Sequence, residues 1–355
     1  MGNMIDYVIE TKDMTFEDKG FNTIDALIFS QFVNLPLKDI VSDDLIEYPF
    51  YEVIENLLKK DRPSEAYFIV NISNIRMMKE LLKSIRYKDV LVSSYRERKD
   101  SDLVCQFGGM AFHYGDEETF IAFRGTDSTY LGWKESLELS FKDRIPSQVE
   151  GVKYINEYAP SFRKNIKIGG HSKGGNIAIY AGVLSDAIFK DRINFIYSFD
   201  GPGFREETGI SGKVLDEKDK IMTYIPQSSI VGILLEHAEP ETVIKSSALA
   251  MLQHDPYSWV VKDDDFEVLK ELSYAGKAFA GMSEELLLKL DKESLKVFLT
   301  LAYEIIESPS KAKEDNLIAK VIAFTDSVNG INDDEKNVIS NVINGLKDAV
   351  FSQFK

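Results

Sequence analysis

The run Gly170-His171-Ser172-Lys173-Gly174 sets a serine in a G-x-S-x-G spacing, after the β-branched stretch Ile166-Lys167-Ile168 and before an amphipathic stretch from Lys173 to Leu184. At a sharp strand-to-helix turn a serine hydroxyl is exposed at the carboxyl edge of a sheet, and small flanking residues keep the turn free of clashes. The chemistry this allows is nucleophilic attack on an acyl carbon. The backbone N–H of Lys173, first in the helix, would face the developing oxyanion, where the helix dipole favours negative charge. A glycine-rich turn that merely starts a helix is the alternative reading.

A serine needs a base, and the chain has four histidines: His113, His171, His237 and His254. His254, in Gln253-His254-Asp255-Pro256-Tyr257, follows the last expected strand and is the leading base. His237, in Leu235-Glu236-His237-Ala238, is the second candidate. His171 sits inside the elbow and His113 lies in an early hairpin. A carboxylate should orient the base. Asp200 ends the stretch Phe195 to Phe199 and starts the turn Gly201-Pro202-Gly203, giving the chain order Ser172, Asp200, His254. A turn-capping role for Asp200 is the alternative, and Glu236 is another candidate acid. The segment Arg124-Gly125-Thr126-Asp127 offers Thr126 as a second oxyanion donor, with Arg124 and Asp127 bracing the loop as an ion pair and Trp133 in the core. Such chemistry calls for no metal and no cofactor.

The elements that must position these residues alternate along the chain. Helices are expected over Thr23 to Phe32 and Asn74 to Ile85, then a hairpin from Leu103 to Tyr114 and Thr119 to Arg124. Helices follow at Leu131 to Leu139, Pro146 to Tyr158 and Lys173 to Leu184, with strands at Ile166 to Ile168, Ile193 to Phe199, Ile221 to Ile225 and Thr242 to Lys245. This alternation implies a mostly parallel central sheet flanked by helices. Beyond about residue 270 the pattern turns helical and acidic, so the expected division is a catalytic domain over 1–268 and a helical C-terminal appendage over 269–355, a candidate surface for a protein partner.

The 355 residues carry a net charge of -16 and a single cysteine, Cys105. The spread of negative charge disfavours nucleic acid as a partner, and the lone cysteine fits a buried thiol in a reducing compartment. Met1 to Asp6 has neither a basic n-region nor a myristoylation pattern, and no apolar run approaches the ~20 residues of a membrane span. A cytoplasmic protein without stable membrane insertion is expected.

The run Phe123-Arg124-Gly125-Thr126-Asp127, with Trp133 downstream and the serine elbow after it, resembles class 3 lipases. Gly169-Gly170-His171-Ser172-Lys173-Gly174-Gly175-Asn176, Gly132-Trp133-Lys134-Glu135 and Gln253-His254-Asp255-Pro256 are still more similar to a bacterial family of lipase-like α/β-hydrolases related to them. The resemblance spans about residues 20 to 262. It implies an α/β-hydrolase fold, Ser172 as nucleophile, Thr126 in the oxyanion hole and lipid or lysolipid esters as small-molecule substrates. Class 3 lipases place the acid after the strand equivalent to Ile221 to Ile225, where this chain reads Pro226-Gln227-Ser228-Ser229-Ile230-Val231 without a carboxylate; Asp200 is the position some other lipases of the fold use. Lys173 stands where an apolar residue is usual, so its ammonium either favours an anionic substrate or pairs with a nearby acid. A catalytically silent binding module, and a peptidase, thioesterase or acyltransferase using the same triad, are the competing functions.

Overall fold

An asparagine opens each of the first two helices. Asn3 accepts from the Ile5 and Asp6 N–H groups while Asp6 accepts from the Asn3 N–H, and Asn22 with Asp25 repeats the arrangement, satisfying helix N–H groups that would otherwise lack partners. These helices are α1 (Met4–Glu10) and α2 (Thr23–Phe32). The computed structural model describes residues 2–59, 71–127, 129–248, 250–274 and 276–277. The chain continues through β1 (Tyr48–Pro49), α3 (Phe50–Lys59), α4 (Asn71–Leu81), β2 (Leu91–Asp100), β3 (Cys105–Tyr114), β4 (Glu118–Phe123), α5 (Tyr130–Glu138) and α6 (Pro146–Tyr158). Then come β5 (Asn165–His171), α7 (Lys173–Leu184), α8 (Ala187–Lys190), β6 (Ile193–Phe199), α9 (Ser211–Asp216), β7 (Ile221–Pro226), β8 (Glu241–Ile244), and the small pair β9 (Val261–Lys262) and β10 (Asp265–Phe266).

Strands β1 to β8 form one sheet in sequential order. The pairs from β1 to β4 are antiparallel, and those from β4 to β8 are parallel. Parallel neighbours need crossovers. Helices α5 and α6 make the first, α7 and α8 the second and α9 the third. The β7-to-β8 connection, 227–240, holds no regular element and wraps the end of β6 instead.

Strand β4 shows why the sheet is buried on both faces. Successive side chains point oppositely, so Phe120 and Ala122 enter one core with Phe29, Phe112 and Phe199, while Ile121 and Phe123 enter the other with Tyr154, Ile168 and Ile177. Helix α2, buried at every position, packs across β4, β5 and β6 on the first face; α6 and α7 pack on each other across the second. A buried ion pair, Arg86 Nη2 to Asp25 Oδ2 at 2.6 Å, fastens α2 to the chain after α4.

The hairpin and the helix and strand alternation follow the expected pattern. The helix expected over Asn74 to Ile85 divides into α4 and a 3₁₀ turn at Ile85–Tyr87. Strands β1 and β2, absent from the sequence reading, extend the sheet. Cys105 is buried, as its apolar neighbours imply. The helical appendage expected over 269–355 lies, beyond residue 277, outside the described residues. Among the described residues no helix is long and apolar enough to cross a membrane.

Candidate active site

Strand β5 ends at His171 and α7 begins at Lys173, which leaves Ser172 alone at the turn with φ 60° and ψ −132°. A side-chain-bearing residue in so sparsely populated a region costs on the order of 1–3 kcal/mol, a strain that clusters at functional sites. The flanking glycines make the turn feasible. A Cβ at Gly170 would lie 2.3 Å from the Gly174 carbonyl carbon, and one at Gly174 would lie 2.2 Å from the Phe123 carbonyl oxygen. The Ser172 N–H donates to Phe199 O at 2.9 Å, stitching the elbow to the end of β6.

Asp200 follows Phe199 directly. It is fully buried, has φ 51°, and donates its N–H to Tyr224 O at 2.8 Å. Its Oδ2 lies 2.7 Å from His254 Nδ1. A carboxylate can only accept, so Nδ1 carries the proton and Nε2 remains the basic nitrogen. The other oxygen, Oδ1, accepts from the Ser229 hydroxyl at 2.5 Å and the Gly232 N–H at 3.0 Å. His254 closes the 3₁₀ turn Ala250–His254, and its side chain is 22% exposed. Beneath it, His171 Nε2 donates to His254 O at 2.9 Å, and the two rings lie 4.5 Å apart. Burial, then the neighbouring His254, holds His171 well below the ordinary histidine pKa, so it stays a neutral donor. The structure thus brings Asp200 and His254 together and sets both beside the elbow. Among the described residues, the Ser172 hydroxyl takes no part in this cluster's hydrogen bonds.

The loop from Arg124 to Asp127 leaves β4 and lies against the elbow, since a Cβ at Gly125 would sit 2.8 Å from His171 O and 3.5 Å from Ser172 Cβ. Asn34, just past α2, holds the loop by accepting the Gly125 N–H at 2.9 Å. The Thr126 hydroxyl lies 2.5 Å from the Ser136 hydroxyl on α5, which ties that side chain back to the helix. In place of the ion pair expected between Arg124 and Asp127, each meets an opposite charge on β2: Arg124 Nη1 meets Glu97 at 2.9 Å and Asp127 meets Lys99 at 3.0 Å, because β2 runs alongside the loop. Burial opposes charge on Asp127, yet its bonds to Thr129 and Lys99 prevail and hold the carboxyl below its ordinary pKa. Trp133 is only half-buried.

The Lys173 ammonium does not face the elbow's open side. The side chain is 1% exposed, and its Nζ bonds Glu135 Oε2 at 2.7 Å and donates to the Gln106 carbonyl and side-chain oxygens at 2.8 Å each. Glu135 in turn accepts from the Gln106 N–H and from the Ser147 N–H and hydroxyl. Of the two roles open to this lysine, the structure selects pairing with an acid. Lys173→Met is expected to lose about 3–5 kcal/mol of stability in urea melts, because the Glu135 charge would stay buried and unpaired.

The remaining histidines are engaged elsewhere. Both His237 nitrogens are bonded, Nδ1 to Glu239 Oε1 at 2.9 Å and Nε2 to Gly232 O at 2.7 Å, so it does not present a free nitrogen to Ser172. His113 lies in β3 between Ser93 and Thr119, and burial lowers its pKa to about 4. The sequence reading missed Gly232 and Glu135 as parts of the site, and the bond from the Ser229 hydroxyl to Asp200. Ser229 left a signal, as a hydroxyl in the carboxylate-free run Pro226 to Val231.

A serine elbow between β5 and α7, an acid after β6 and a histidine after β8 of a mostly parallel sheet define the lipase-like α/β-hydrolase fold. The chain belongs to the Mbeg1-like family, whose sequence model matches residues 81–304. Among solved structures it is similar to M37 lipase, at 17% identity over 59% of this chain and 68% of that one, with a TM-score of 0.34. Similarity to Lip2 lipase from Yarrowia lipolytica stands at 13% identity over 48% and 69%, with a TM-score of 0.35. For the Rhizomucor miehei lipase propeptide complex the figures are 17%, 53% and 70%, with a TM-score of 0.30. No curated protein matches the chain.

Proposed function

We propose that this protein is a serine hydrolase cleaving small carboxylic esters, of the lipid or lysolipid class, through an acyl-enzyme. His254 Nε2 takes the Ser172 proton as Oγ attacks the acyl carbon, and Asp200 holds the ring in the required tautomer and stabilises the imidazolium. The backbone N–H groups of Lys173 and Thr126 hold the oxyanion. His254 then passes its proton to the leaving alkoxide, and a water activated by the same nitrogen releases the acid.

The observation that carries this reading is the 2.7 Å contact of His254 Nδ1 with Asp200, set next to a serine held at φ 60° between two clash-limited glycines. The test is covalent labelling with a fluorophosphonate probe, which bonds only to an activated serine. Wild-type protein is expected to label and Ser172→Ala to stay blank. Absence of labelling in the folded wild type would instead mark the fold as a silent binding module. Under the proposal the protein acts in the cytoplasm.

A further inference from the structure

The β7-to-β8 loop is itself held by a buried ionic pair, His237 with Glu239. Asp200 Oδ1 accepts from the Ser229 hydroxyl and the Gly232 N–H, and the Gly232 N–H also lies 3.0 Å from Ser229 Oγ. The fit is tight, since a Cβ at Gly232 would stand 2.2 Å from Asp200 Oδ1. The carbonyl of this same Gly232 receives His237 Nε2 at 2.7 Å. Nδ1 of His237 reaches Glu239 Oε1 at 2.9 Å, and that oxygen also accepts from the Thr223 hydroxyl on β7 at 2.8 Å. Carbonyl and carboxylate oxygens only accept, so bonding both at once requires an imidazolium.

We infer that His237 is a positioning residue for the catalytic acid: its cationic ring, anchored on Glu239, fixes the Ser229-to-Gly232 turn that holds Asp200 against His254. This rests on the triad reading above and deepens it. The ionisable groups facing His237 among the described residues are Glu239 and Glu241, the latter 3.9 Å from Nε2. Burial opposes charge on His237, but the bond and field of Glu239 and the field of Glu241 outweigh it and raise the pKa above its ordinary value. The brace is therefore intact below the ordinary histidine pKa and is lost as pH rises through the raised one.

The test combines a kinetic cycle with magnetic resonance of the full chain. In the Asp200 background, His237→Ala is expected to lower kcat for p-nitrophenyl butyrate with little change in KM, by about 10–100-fold, as loss of an orienting partner does elsewhere. In the Asp200→Asn background the same change should cost less than about twofold, because the two act through one contact. Equal losses in both backgrounds would mean a merely structural role and overturn the inference. Independently of any activity, nitrogen-15 titration should find the His237 imidazolium persisting above the ordinary histidine pKa of about 6.5, and the downfield His254 Nδ1–H signal should shift in His237→Ala. A neutral His237 below that pH, or an unmoved His254 signal, would overturn it. Should His237→Ala not fold, Glu239→Gln serves as the second variant, with the same signals expected to move. If Ser172 fails to label while these signals behave as described, the hydrolase reading falls and the braced turn stands.

Discussion

Ser172→Ala is expected to lower kcat for short-chain activated esters by about 10⁶-fold, the order seen when the nucleophile of a serine triad is deleted, and to leave the fold intact. Among the described residues the hydroxyl makes none of the cluster's hydrogen bonds, whereas the backbone it sits on is fixed by Gly170, Gly174 and the bond from its N–H to Phe199 O. The variant keeps a Cβ at φ 60°, so the elbow stays as strained as before. Steady-state kinetics beside a thermal melt check both halves of the statement. Retained turnover would place the nucleophile elsewhere.

Asp200→Asn should lower turnover by about 10⁴-fold, the loss recorded for the same change in a well-studied triad, because an amide supports the wrong imidazole tautomer. Here the substitution is unusually clean. Asparagine Oδ1 can still accept from Ser229 and Gly232, so its NH₂ is directed at His254 Nδ1, where a proton acceptor is needed. Ring orientation is preserved while the proton moves to Nε2, the nitrogen that should stay basic. The loss should therefore fall on kcat rather than KM. A drop of less than about tenfold would leave a serine–histidine dyad in place of the triad.

The residues that were legible are those whose role is written in short-range pattern. Two glycines around Ser172, a β-branched strand before it and an apolar helix after it specify the elbow within about 20 residues, and helices α6 and α7 and strand β6 begin and end where the periodicity says. Strand β2 was not legible for a physical reason. A bulge between Ser93 and Arg96 breaks its alternation, and its outer half is charged because Arg96 and Arg98 pair with Glu157 and Glu150 on α6.

By itself the sequence determined which serine sits at a strand-to-helix turn and which strand end carries a candidate carboxylate, and it left two histidines, His237 and His254, downstream of both. The tertiary structure decided what those groups touch. His254 meets Asp200 across 54 residues of chain, and Ser229 meets it across 29. The cation of Lys173 is consumed by Glu135, 38 residues away, rather than offered to substrate. Such pairings are set by how strands stack and where loops return. Local propensity carries no record of them, whereas a buried charge or carboxyl oxygen left without its partner costs several kcal/mol, and packing must supply one.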